Sequence, residues 1–443
     1  AAWQEGTFCP DRFNPFAYDP RPGYGTHITV STIAANGFDQ GSRNNPSIYY
    51  YNNPANTWIA PASTTGVNIT DNSGVYQLFV RGDRSIVIQD QWVTAKPATL
   101  APKGELHLGN VSIPMVAAGF RPVGNPYASQ LDLDNVDFNG TLGYNKTIYL
   151  WDPKALGSSG VGGFITCTGD GAPGSYTYTG NSSNYGALPG VIESSGAFMV
   201  GAGSGNIIFH ESDKTISSST IGIASRPSAS RLKNNPLGKI SKLYVDLIGT
   251  RNGEPSLADG IAVTYNQHYS DKTDEMDAVK MITFNTRERI SIQKETGLYA
   301  VERRQAVDEK DTIQLHISKL NKATYQFNFR STDFDGLFTA YLEDNFTKTS
   351  TPVLLTENTS LSFDITDDSL SSAANRFSII FKRNKPLVTN NGNGITIFPN
   401  PVINGRMNLQ MNNMPMGEYC IRLINQLGQV ILNKRILHQT AGA

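Results

Sequence analysis

The chain has 443 residues, 39% of them hydrophobic and 17% charged, with 37 basic side chains against 38 acidic ones. That length suits about three domains with packed cores. The even charge balance argues against a nucleic-acid face, and no apolar run approaches the roughly 20 residues a membrane helix requires, so a soluble or surface-attached protein is expected.

Glycine (41) and proline (23) are plentiful, and aromatics make up 10%. That profile suits an all-β extracellular protein with many tight turns. The opening "AAWQEGTFCP" carries neither an initiator Met nor a signal peptide, which fits a mature or trimmed product. Cys9, Cys167 and Cys420 are too far apart for a metal or redox motif, and three buried or half-buried thiols are expected.

In chain order, "VYQLFV" alternates and places Tyr76, Leu78 and Val80 on one face. It leads into Arg81-Gly82-Asp83, an integrin-type tripeptide that here reads as a tight turn with Asp83 bonding its own backbone. "LDLDNVDFNG" offers Asp132, Asp134, Asp137 and Asn139, oxygen ligands of the kind calcium takes, although the spacing is not that of an EF-hand. "GAGSGN" at 201–206 reads as a loop beside a strand, because no βαβ pattern surrounds it. Residues 1–200 hold 24 charged side chains and residues 251–350 hold 29, and the Ser-rich stretch at 212–236 reads as an exposed connector between them. Short helical pieces are expected at 257–262 and 367–375. "SDKTDEMDAVK", with Asp271, Asp274, Glu275 and Asp277, reads as a solvated loop with calcium as the alternative.

Alternation then dominates. Ile313, Leu315 and Ile317 share a face, as do Tyr325, Phe327 and Phe329, Leu361, Phe363 and Ile365, and Phe377, Ile379 and Phe381. A polar run at 382–394 separates these from a last group of strands. "ITIF" directs Ile395 and Ile397 inward, and Pro399 and Pro401 remove two ladder N–H donors and end that strand. "RMNLQM" alternates Met407, Leu409 and Met411; "YCIRLIN" alternates Tyr419, Ile421 and Leu423; a turn at Gly428 precedes "VILNKRIL". The expected fold class is therefore all-β: antiparallel sandwich or jelly-roll-like domains at 1–225 (with a break near 105) and 226–385, a linker at 386–394, and a small immunoglobulin-like sandwich at 395–443.

Catalytic patterns are not found. The six histidines are scattered singly, and there is no GxSxG, phosphate-binding loop or dinucleotide fingerprint, so neither an enzyme nor a cofactor is expected beyond a structural calcium. Trp3, Trp58, Trp92, Trp151 and Tyr49–Tyr51 supply the flat aromatic surface of a carbohydrate-binding module, the alternative function. A further alternative is an accessory region of a larger secreted hydrolase whose catalytic domain lies upstream.

The segment "FPNP…NGRMNLQ…MGEYCIRLINQLGQVILNKRI" resembles a type A C-terminal sorting domain of the Bacteroidota type IX secretion system. The matching positions are Ile397, Phe398, Pro399, Asn400, Pro401, Gly405, Gly417, Tyr419, Leu423, Asn425, Gly428 and Gln429. Such domains run some tens of residues further, so the resemblance implies an incomplete one here. "GFRPVGNPYASQLDLD", "IYLWDP", "GVIESSGAFMVGA", "IIFHESDK", "DEMDAVKM", "GLYAVERR" and "ANRFSIIF" resemble adhesin-like surface cargo of the same bacteria, including the gliding-associated type. The resemblance implies export through the periplasm and across the outer membrane to the cell surface. The implied partners are an outer-membrane translocon, a β-barrel shuttle protein and a sortase-like peptidase; glycans are the partners expected under the carbohydrate-binding alternative. It also implies O-glycosylation at Ser369 in "DSL" and Thr312 in "DTI". The positive balance at 394–443, with Arg406, Arg422, Lys434 and Arg435 against Glu418, suits an acidic docking partner.

Overall fold

The computed structural model describes residues 2–4, 23–30, 36–41, 45–55, 57–64, 74–88, 94, 96–100, 105–158, 160, 162–180, 190–216, 237–282, 288–384, 394–403, 406–412, 414–424 and 430–438. Among them the chain is all-β, with strands, turns and short 3-10 pieces but no α-helix. The period-two alternation of the sequence is realised as ladders that are antiparallel with one exception among the named strands: Glu254–Tyr265 runs parallel to Gly297–Arg304.

Up to residue 216 the strands form four modest sheets. The largest has five, in the order Tyr176–Tyr178, Gly163–Gly169, Thr147–Asp152, Ala197–Gly201 and Phe120–Gly124. One face packs on a core that includes Val123, Leu131, Phe138, Ile148, Ile165, Phe198 and Phe209. Its other face carries Tyr149 and Met199, which meet Tyr51 from a small sheet upstream and Met281 from downstream. "GAGSGN" falls between the strands Ala197–Gly201 and Asn206–Phe209.

From residue 241 onward a single 11-stranded sheet dominates, with Thr349–Val353 at one end of its order and Thr359–Asp364 at the other. Val353 and Phe363, from these two opposite edges, belong to the same hydrophobic core. The sheet is therefore rolled over on itself, and the strand runs expected to alternate supply its interior: Ile313, Leu315, Ile317, Tyr325, Phe327, Phe329, Phe377, Ile379 and Phe381. Phe327 packs at 4.5 Å from Phe363 and edge-on at 5.0 Å from Phe377, the offset and T-shaped geometries that aromatic quadrupoles favour.

Several expectations need correction. Residues 257–262 are not helical. They lie within the strand Glu254–Tyr265, where antiparallel pairing with Ser241–Arg251 overrides the helix preference of Leu257 and Ala258, and a register shift opposite Leu247/Ile248 accommodates Ala258. At 367–375 only the 3-10 turn Ser369–Ser372 forms, its start held by Leu370 N donating to Asp368 Oδ1 at 2.9 Å. Val80 does not join its face, because the strand stops at Leu78 and Val80 is exposed. Cys420 is exposed too, its thiol donating to Asn433 Oδ1, while Cys167 is buried and Cys9 lies outside the described residues.

The closing strands form two hairpins, Gly394–Ile403 with Arg406–Asn412 and Gly417–Ile424 with Val430–His438, each a two-stranded sheet. Pro399-Asn400-Pro401 interrupts the pairing without ending the strand: the ladder runs to Phe398↔Asn408 and resumes at Ile403↔Arg406. Met411 is buried, but its cross-strand partner Ile395 and Ile397 are exposed rather than turned inward. Truncating the central aromatic of the rolled sheet, Phe327→Ala, is expected to cost about 3–5 kcal/mol, read from the urea midpoint of unfolding.

Candidate functional site

The five-stranded sheet and the rolled sheet meet through a buried polar seam. On Ser241–Arg251 the core takes Leu243, Val245 and Leu247, so Tyr244 and Asp246 point out of the opposite face. Arg303 follows Val301 along its strand, which packs with Tyr244 and Ala262, and it is only 1% exposed because Gly163–Gly169 and the loop after it cover it. Its Nε donates to Met276 O at 2.9 Å, one terminal nitrogen to Asp170 Oδ1 (3.2 Å) and Thr264 Oγ1 (3.4 Å), and the other to Gly169 O (2.5 Å) and Thr168 Oγ1 (3.1 Å). That accounts for the whole donor fork of the guanidinium, which also lies 5.1 Å from the Tyr269 ring.

Asp170 is fully buried and equally well held. Lys242 Nζ approaches Oδ2 at 2.6 Å beside Ser175 Oγ at 2.9 Å, and Thr177 Oγ1 donates to Oδ1 at 2.6 Å. Burial alone would raise its pKa, but the charges of Lys242 and Arg303 outweigh that and hold it below the usual carboxylate value. A buried pair with every lone pair occupied is the arrangement in which Coulomb attraction compensates for desolvation.

Beside the seam lies a small cavity, walled by Phe164, Ile165, Thr179 and Gly180 from one sheet and by Leu257, Asp259, Lys280, Met281, Glu288 and Arg289 from the other. The sheets approach closely at Gly260, where a Cβ would fall 2.4 Å from Gly180 N and 2.9 Å from Asp246 Oδ1, so only glycine fits. Lys280 Nζ meets Asp259 Oδ1 at 2.7 Å. Glu288 is 2% exposed; Ser158 Oγ donates to its Oε1, and its Oε2 has no partner. Asp246 Oδ1 is also buried without a partner, and Oδ2 faces Arg330 at 3.2 Å.

The residues singled out in the sequence lie elsewhere. Asp132 and Asp137 are half-buried and Asp134 is buried, and each already accepts from near neighbours: Asp134 N to Asp132, Gly174 N and Tyr176 Oη to Asp134, Gly140 N to Asp137. Among the described residues no group of three or more His, Cys, Asp or Glu side chains is placed to hold a metal. Asp271, Asp274 and Glu275 are exposed, but Asp277 is buried and accepts from Arg303 N at 2.8 Å. In the Arg-Gly-Asp stretch Asp83 is 4% exposed and ties down Gly23 N and Ser85, so its carboxylate is not presented to a receptor. The aromatics pack edge-on against one another, Tyr51 with Trp58 at 5.3 Å, Trp151 with Phe164 at 5.1 Å and Trp3 with Tyr76 at 5.8 Å; Trp92 lies outside the described residues. Thr312 and Ser369 are both exposed, Thr312 at the start of a strand and Ser369 on a turn.

Of the sorting-type positions, Gly417, Tyr419 and Leu423 lie on the last hairpin, with Tyr419 opposite Ile436 and Leu423 opposite Leu432. Ile397, Phe398, Pro399, Asn400 and Pro401 lie on the strand Gly394–Ile403, while Gly405, Asn425, Gly428 and Gln429 fall outside the described residues. Leu423, Val430, Ile431, Leu432 and Leu437 are exposed apolar side chains on that last hairpin.

Sequence reading missed Arg303, Asp170, Lys242, Asp259, Lys280 and Glu288. For Arg303 and Lys280 a signal existed. Each continues the phase of small or apolar residues that become buried, Tyr299 and Val301 before Arg303 and Ala278 before Lys280.

The family described as Domain of unknown function (DUF8693) matches residues 44–381, a span that contains both sheets and the seam between them. No curated protein and no solved structure matches the chain.

Asp246 supplies a pH test of the interface. Burial, opposed by Arg330, pushes its pKa up to about 6. The folded protein then keeps a proton that the unfolded chain releases near about pH 4. This contribution to stability is fully present below about pH 4 and is lost as pH rises through about 6. Asp246→Asn is expected to flatten the dependence of the unfolding midpoint on pH across that window, measured by thermal melts in matched buffers.

Proposed function

The chain belongs to the DUF8693 family, and we propose that this member is a secreted, adhesin-like cell-surface protein, exported across the outer membrane by a type IX system. The observation that carries the reading is the ordered pattern from Ile397 to Ile436, with Phe-Pro-Asn-Pro, Gly-x-Tyr-x-Ile-x-Leu and Asn-x-x-Gly-Gln in sequence. Supporting it, Gly417–Ile424 and Val430–His438 pair with each other and with no other named strand among the described residues. Such a unit offers exporter components a surface that does not depend on the state of the cargo. Exposed Arg422, Lys434 and Arg435 beside an exposed apolar row suit an acidic, partly apolar receptor, the translocon or its shuttle protein. A sortase-like peptidase acting in the segment before Gly394 would release or anchor the cargo.

In this reading the upstream sheets are non-enzymatic freight. The Arg303–Asp170 seam between them is bonded throughout, which suits a load-bearing role. Ser369, exposed on its turn, is the better placed of the two glycan acceptors. The reading is tested by fusing residue 386 through the natural C-terminus to a folded reporter in a type IX-competent cell. Extracellular reporter that becomes periplasmic when the translocon is inactivated is the expected result. Reporter held in the periplasm of the competent cell would overturn it.

A further inference from the structure

The cavity holds three groups whose chemistry goes beyond an ion pair. Lys280 is 7% exposed, and its Nζ lies 2.7 Å from Asp259 Oδ1 and 3.0 Å from Gly260 O. Ile290 N donates to Asp259 Oδ2 at 3.0 Å, and Gly260 N donates to Oδ1 at 2.8 Å. Glu288 lines the same cavity with an unpartnered, buried Oε2, and Phe164, Ile165, Leu257 and Met281 make much of the wall apolar.

We propose that Lys280 and Asp259 condense to an intramolecular amide, a covalent crosslink formed by the folded chain with loss of one water. The reacting form has one proton moved from the ammonium to Asp259 Oδ1, a neutral amine and a carboxylic acid in contact. The Nζ lone pair attacks Asp259 Cγ, forming the C–N bond. Negative charge develops on Oδ2, where the Ile290 N–H already points and needs no reorganisation. Glu288 Oε2 takes the surplus proton from nitrogen and passes it to Oδ1; the C–Oδ1 bond breaks and Oδ1 departs as water. Glu288 ends as it began, nothing is oxidised or reduced, and the products are one amide and one water. Folding supplies the proximity that makes so slow a condensation feasible.

Asp170 and Lys242 are as close, at 2.6 Å, but Arg303 stands beside that carboxylate and two hydroxyls donate to it, so it persists as an anion. The amide would tie Glu254–Tyr265 to the segment just after Ala278–Val279, closing a loop between residues 21 apart in sequence. The proposal rests on this geometry and is independent of the route of export.

The test is the intact mass of the full chain, purified folded and then denatured. The expected value is one water below the sequence mass, with a branched peptide joining Asp259 and Lys280 after digestion. Lys280→Met should restore the sequence mass. Glu288→Gln should fold with an unchanged far-ultraviolet spectrum yet remain at the sequence mass. Wild-type protein at its full sequence mass would overturn the proposal without any variant having to fold. Water loss that persists in Lys280→Met would also overturn it, because it would mark a succinimide at Asp259-Gly260. Complete crosslinking in Glu288→Gln would remove Glu288 from the mechanism.

Discussion

A buried guanidinium has few places to go, and the structure around residue 168–303 is arranged to satisfy one. Arg303 reaches backbone carbonyls, two threonine hydroxyls and the Asp170 carboxylate, drawn from both the five-stranded and the rolled sheet. Removing either sheet would leave donors unpaired in a low-dielectric setting, at a cost of several kcal/mol for the charge alone. The two sheets are therefore bound by a requirement for satisfaction as well as by apolar contact through Tyr149, Met199 and Met281. Geometry narrows the fit further, since Gly260 and Gly180 leave no room for a side chain between them.

The rolled core was legible in the sequence wherever strands alternated strictly. Ile313, Leu315 and Ile317, or Phe377, Ile379 and Phe381, announce a buried face by period alone, and all six are buried. Leu257–Ala262 was misread because its local composition favours helix, whereas pairing with the strand Ser241–Arg251 decides the outcome. The polar interface was illegible for a different reason. Its members are 133 residues apart in the case of Arg303 and Asp170, and single-sequence patterns do not report which exposed-looking faces will cover each other. What the pattern did contain was an incongruity, a charge in the phase of apolar neighbours, and at Arg303 and Lys280 that incongruity marked burial.

The hairpins after residue 394 obey the same alternation with a different result. Met411 finds cover, but Ile395, Ile397, Val430, Ile431, Leu432 and Leu437 are exposed on ribbons that pair, among the described residues, with no further named strand. Apolar side chains on such ribbons remain available to a partner.

The parallel ladder between Glu254–Tyr265 and Gly297–Arg304 has a consequence for how the chain must be made. Glu254–Tyr265 cannot reach Gly297–Arg304 by a hairpin, and Ser241–Arg251 pairs on its other side with Thr324–Thr332, some 80 residues later. Phe377 arrives later still. A ribosome releasing this polypeptide would display Leu243, Val245 and Leu247 long before their neighbours emerged, and slow, non-local closure of that kind favours holding the nascent chain apart from its copies. A cell that produces it in quantity is expected to depend on chaperones during synthesis.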